Sequence, residues 1–191
     1  MNKKTPEITV PLLVVGIFCI PIFFINILLP AAPQTSLDFA LNEFVDDQLF
    51  GLIGFWSSLF PFSSKVTANY IAITGPIFAS TIFYKVHKTM NIDPTQYQTH
   101  LIARIIAGIF FTTFITLFCT LAFYLTNTDL GQSTGRLGNL FGRNVLFYSI
   151  YSSGMLILFF LIPFSFHRLF FYFPSLLIKK SQEKKRRSHS K

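Results

Sequence analysis

Hydrophobic positions along this 191-residue chain gather into four long runs, separated by segments that mix polar, charged and turn-forming residues. The runs cover Ile8–Leu29, Val66–Tyr84, Ile105–Leu125 and Val145–Phe166, and none contains Asp, Glu, Lys, Arg or His. A hydrocarbon core of about 30 Å takes about 20 helical residues to cross, so each run predicts a transmembrane helix. Pro11, Pro21, Pro76 and Pro163 lie within or near the runs. Neighbouring groups in a membrane bundle can satisfy the carbonyls that proline frees, so kinks are expected and not breaks. The first run follows Lys3 and Lys4, as a secretory signal would, but it is longer than the 7–15 apolar residues of a signal core. It reads as a retained helix.

Between the first two runs the pattern changes to helical amphipathicity. Leu37, Leu41, Phe44, Val45, Leu49 and Leu52 recur on one face, with Asp38, Asn42, Glu43, Asp46 and Asp47 on the other. Thr35 followed by Asp38 has the form of a capping box. This predicts an interfacial helix lying on the outer leaflet. The apolar, aromatic stretch from Gly51 to Phe62, with Trp56, is expected to re-enter the headgroup layer.

Composition agrees with lipid as the solvent. Charged residues make up 13% of the chain, about half the usual share for a soluble domain, and Phe alone accounts for 25 residues. The net charge of +8 is concentrated in the tail, where seven basic residues from Lys179 to Lys191 face only Glu183. A basic run directly after an apolar segment suits anionic headgroups, and the rest of the chain lacks a basic face for nucleic acid. If the runs all cross, thirteen of the sixteen Lys and Arg residues fall on one side: Lys3, Lys4, Lys85, Lys88, Arg104, Arg168 and the tail. Lys65, Arg136 and Arg143 fall on the other. The positive-inside rule then puts both termini in the cytoplasm. The expected architecture is an all-α membrane protein, a four-helix transmembrane bundle with one amphipathic interfacial helix. It forms a single domain over residues 1–180, with a basic cytoplasmic tail at 181–191.

The spans carry hydroxyl and small residues at helical spacing. Thr67, Tyr70, Thr74 and Thr81 share one face, Gly108, Thr112, Thr116 and Thr120 another, and Ser149, Ser152 and Ser153 cluster beside Gly154. Such faces allow close helix approach and interhelical hydrogen bonds. They serve either the bundle's own packing or a partner's helices, with Thr67, Tyr70, Thr74, Thr112, Thr116 and Thr120 as candidate partner-binding residues. Asp38, Glu43, Asp46 and Asp47 form either a solvated acidic face or an outward recognition surface. An ion-coupled carrier needs an ionisable group at mid-membrane, and the runs have none. Neither a His-Glu-x-x-His, a Gly-x-Ser-x-Gly nor a phosphate-cradling loop occurs. Cys19 and Cys119 lack metal or disulfide spacing. Neither an enzyme nor a cofactor is expected.

Four spans, a long first outside loop and a basic tail resemble the immunity proteins against pore-forming colicins, the colicin A/B/N group. Ser64-Lys65-Val66 through Tyr70 to Thr74-Gly75-Pro76 looks like that family's entry into its second span, with Gly75 in place of Ala and one more residue between Tyr and Thr. Ser133-Thr134-Gly135-Arg136, ahead of Phe147-Tyr148-Ser149-Ile150-Tyr151, is similar to its second periplasmic loop and last helix, the loop being shorter here. The resemblance covers residues 60–180. It implies a plasmid-encoded protein of the bacterial inner membrane, whose partner is the pore-forming domain of a cognate colicin, held closed within the bilayer. The alternatives are an accessory subunit of another membrane complex and immunity to a different secreted membrane toxin.

Overall fold

The computed structural model describes residues 11–89 and 102–167, with isolated positions at 169, 170, 174, 178 and 182. The expected basic tail at 181–191, Lys3 and Lys4, and the residues before Pro11 lie outside the described residues, apart from position 182.

Seven helices and two short strands follow one another: α1 (Leu12–Leu28), α2 (Ser36–Gln48), β1 (Gly54–Trp56), α3 (Pro61–Thr89), α4 (Ile102–Leu125), β2 (Asn127–Asp129), α5 (Arg136–Arg143), α6 (Val145–Leu158) and α7 (Leu161–His167). Among the described residues, three helical stretches are long and apolar enough to cross a membrane: Pro61–Lys85, Ile106–Leu125 and Val145–Phe166. The chain is thus a mostly helical membrane protein. α1, at the first apolar run, has 17 described residues, about 26 Å at 1.5 Å per residue, and is shorter than these three.

α3 is the central helix. α1 packs against α3 and α6, and α4 packs chiefly against α7. The main apolar core joins Ile22, Ile71, Phe78, Ile82, Phe123 and Phe159. The prolines behave in two ways. α1 and α3 run unbroken through Pro21 and Pro76. The carbonyl of Ala72, four residues before Pro76, accepts instead from the Tyr124 hydroxyl at 2.6 Å. The fourth run, expected as one kinked helix, is divided. α6 ends at Leu158, and Phe159 and Phe160 form a turn before α7. Pro163 has no N–H for the carbonyl of Phe159 and its ring crowds that carbonyl, which accepts instead from Ile162 N at 3.1 Å.

A small polar cap closes one end of the bundle, and it adds β-structure that an all-α reading omits. β1 and β2 pair in parallel, with Gly54 opposite Asn127 and Trp56 opposite Asp129. Two antiparallel crossings by α3 and α4 bring the strands to the same end, which is what parallel pairing requires. Gly51 and Gly54 have φ near +60°, and Gly54 also lies against the Phe123 ring, where a Cβ would come within 2.7 Å.

Candidate functional site

The singled-out residues fall into two regions, the cap and the helix faces. In the cap, Thr35 and Asp38 form the expected capping box at the start of α2. The Asp38 carboxylate accepts from Thr35 N at 2.9 Å and Gln34 N at 3.1 Å, and Thr35 Oγ1 accepts from Asp38 N. These backbone donors, Thr35 first, hold the Asp38 carboxyl below the usual carboxylate range. Asp38 is therefore buried and engaged, not displayed. Asp46 is engaged too: its two oxygens accept from Lys65 Nζ at 2.7 and 2.8 Å. Lys65 is buried, and a buried ammonium without a partner costs several kcal/mol. Of the four acidic candidates, Glu43, Asp46 and Asp47 are exposed on α2, Asp46 with its carboxylate on Lys65, and only Asp38 is buried. The expected apolar face of α2 divides as well. Val45 turns into the bundle, while Leu37 and Phe44 stay exposed beside it.

Asn69 ties the loop before β1 to α3. Its Oδ1 accepts from Phe50 N at 2.9 Å, and its Nδ2 donates to Gly51 O at 2.7 Å. Around the strands, Asp129 Oδ1 accepts from Ser58 N at 2.9 Å and Gly131 N at 2.8 Å. Partial burial works against the Asp129 charge, yet the donors from Ser58 and Gly131 win and hold its carboxyl below the usual range. Tyr148, fully buried, shares its hydroxyl proton between Phe55 O at 2.8 Å and Ser64 O at 3.1 Å.

The hydroxyl faces are mostly turned inward. Thr67 is fully buried, with no partner for Oγ1 among the described residues. The Tyr70 hydroxyl donates to Phe18 O at 2.9 Å, joining α3 to α1. Thr74, Thr112, Thr116 and Thr120 each donate to the carbonyl four residues back, at 2.7–2.8 Å. Thr116 is also buried against Ser165 of α7, with the two hydroxyls 3.1 Å apart. As candidate partner contacts, Thr67 and Thr116 are thus covered by the chain's own helices, while Thr74, Thr112 and Thr120 are half-buried. Gly75, beside Thr74, is where Phe159 packs: a Cβ there would come within 2.7 Å of that ring.

What the sequence reading passed over is the outward face of α4. Phe110, Phe111, Phe114, Leu117, Phe118 and Leu121 all stand exposed. Gly108, on the Thr112–Thr120 stripe, has nothing within 4 Å of where a Cβ would lie among the described residues. Of the three crossing stretches, α4 has the smallest buried share, 18% against 28% and 50%. The phenylalanine spacing was legible, but which side of α4 meets the bundle was not. Among the described residues, no group of His, Cys, Asp and Glu could hold a metal ion. Comparison with family models, curated proteins and solved structures returns no match to this chain.

Proposed function

We propose that this protein confers immunity to a pore-forming colicin from within the bacterial inner membrane, by pairing laterally with the toxin's hydrophobic hairpin. Both termini then face the cytoplasm, and the cap faces the periplasm from which the toxin arrives. The reading rests on the resemblance over residues 60–180. The observation that carries it is the outward face of α4, on which Phe110, Phe114 and Phe118 stand exposed among the described residues. Two apolar helices gain nothing from the hydrophobic effect in lipid, so lateral pairing depends on close packing and small residues. A resident helix shifts the toxin's closed-to-open equilibrium by its differential affinity for the closed state. Aromatic anchors at such a contact are worth about 2 kcal/mol or more on truncation, roughly 30-fold in affinity.

The test is expression in a sensitive strain challenged with a panel of pore-forming colicins. Protection against one member is expected, and it should weaken by about 10-fold or more in tolerated dose for F110A/F114A/F118A at unchanged membrane level. No protection against any toxin of the panel overturns the immunity reading. Full protection by the triple variant moves the contact away from α4.

A further inference from the structure

We propose that α5 is a lipid-binding element, which lies in the headgroup layer at the capped end and holds anionic phospholipid phosphates with Arg136 and Arg143. The two arginines are seven residues apart, which sets them on one stripe of the helix about 10 Å apart, and both are exposed. Leu137 and Leu140 flank that stripe, 69% and 43% exposed. The opposite side of α5 is glycine and faces protein. A Cβ on Gly142 would lie within 2.2 Å of the Leu130 carbonyl group, and one on Gly138 would meet Ser133. The Gly142 carbonyl accepts from the buried Ser57 hydroxyl. The helix is thus seated by its glycines, with its leucines and arginines turned away from the cap.

What covers that outward side follows from where α5 ends. Arg143 is followed by Asn144, whose Oδ1 caps α6 by accepting from Leu146 N at 2.9 Å. The span begins at Val145, and Leu146 and Phe147 at its first turn are exposed. Leu137 and Leu140 therefore continue a surface that already meets hydrocarbon, at the depth where guanidinium groups reach phosphates. Of the three basic residues at this end, Lys65 is taken by Asp46. Among the described residues neither Arg136 nor Arg143 has an ion-pair partner. A planar guanidinium suits phosphate oxygens, and the lipid supplies the missing counter-charge.

The test uses the full-length protein in phosphatidylcholine vesicles containing a minority of phosphatidylglycerol. W56F/L140W leaves a single indole, on α5. Bromine is carried on the chains of either the phosphatidylglycerol or an equal amount of the phosphatidylcholine. Brominated phosphatidylglycerol should quench the indole about 3-fold more per molecule than brominated phosphatidylcholine, as expected for two cationic contacts at an anionic site. R136Q/R143Q in the same background should bring the ratio to one while quenching by phosphatidylcholine persists, and R136K/R143K should keep most of the preference. Should R136Q/R143Q fail to insert, raising the salt on the arginine-bearing protein serves instead, since screening lowers the ratio. Equal quenching by the two lipids, a ratio indifferent to both salt and R136Q/R143Q, or no quenching by either lipid overturns the proposal.

Discussion

Tyr148 joins the cap to the bundle through one proton. Its hydroxyl reaches the carbonyls of Phe55, on β1, and Ser64, in the first turn of α3, and its ring meets Phe60 edge-on at 5.3 Å. Tyr148→Phe keeps the ring and removes the donor. Leaving buried acceptors short of a partner costs about 1–3 kcal/mol, so the detergent-solubilised protein should unfold at a lower temperature, with earlier proteolysis between Gly51 and Ser58. An unchanged unfolding curve would show that the hydroxyl is not a tie. The same residue-scale logic explains Thr74-Gly75-Pro76. Thr74 bonds back to Tyr70 O, Gly75 admits the Phe159 ring, and Pro76 frees a carbonyl that Tyr124 takes. The motif that carries the family resemblance is thus, in this chain, a packing device. Thr116→Leu would likewise overfill the joint with Ser165 and disturb α4 against α7.

The boundaries of α2 and α6 have causes that can be named. α2 begins at its Thr35–Asp38 box, α6 begins at Asn144, and α6 ends where Pro163 withdraws a donor from Phe159. The α2 box also has a pH consequence. The folded pKa of Asp38 is depressed, so its contribution is present above the unfolded carboxylate pKa and is lost as pH falls through the folded one. Asp129 acts with the same sign on the strand turn. Amide exchange over residues 34–39 should therefore quicken as pH is lowered below about 4, after correction for the intrinsic rate. Asp38→Asn should already show faster exchange at neutral pH, because a neutral amide oxygen is a weaker acceptor for the Thr35 and Gln34 N–H groups than the carboxylate. Protection that stays level through the acid range would mean that the box does not hold the helix.

At the scale of the whole molecule, the cap gathers the segments before α3, after α4 and before α6 at one end. Lys65 is neutralised by Asp46 inside it, and α5 displays its two arginines at its edge. The basic count predicts that this end is the outside one. Reporter fusions near Gln48 and Gln132 should read as periplasmic, and a fusion after Lys191 as cytoplasmic. A periplasmic C-terminus would reverse the orientation and with it the direction from which a toxin could meet the cap.

Apolar runs, capping signals and charge asymmetry are local properties of the chain, and local physics was enough to read them. Hydrocarbon selects stretches free of charge whatever their neighbours do, so the crossings at Pro61–Lys85, Ile106–Leu125 and Val145–Phe166 lie close to the runs read from sequence. The helix at Ser36–Gln48 was legible for the same reason, because its box is made within four residues. Rotation of each helix about its own axis was not. In lipid the outward and inward faces are both apolar, so periodicity does not say whether Thr116 or Phe118 meets the bundle. Ser165, 49 residues away, decides that for Thr116. Asp46 stays on the exposed face of α2, but its pairing with Lys65, 19 residues on in the chain, is a product of tertiary packing. The parallel pairing of two three-residue strands, with partners 73 residues apart, was equally out of reach. Segments that short carry no period of their own, and only the return of α4 to the end where α3 began places them side by side.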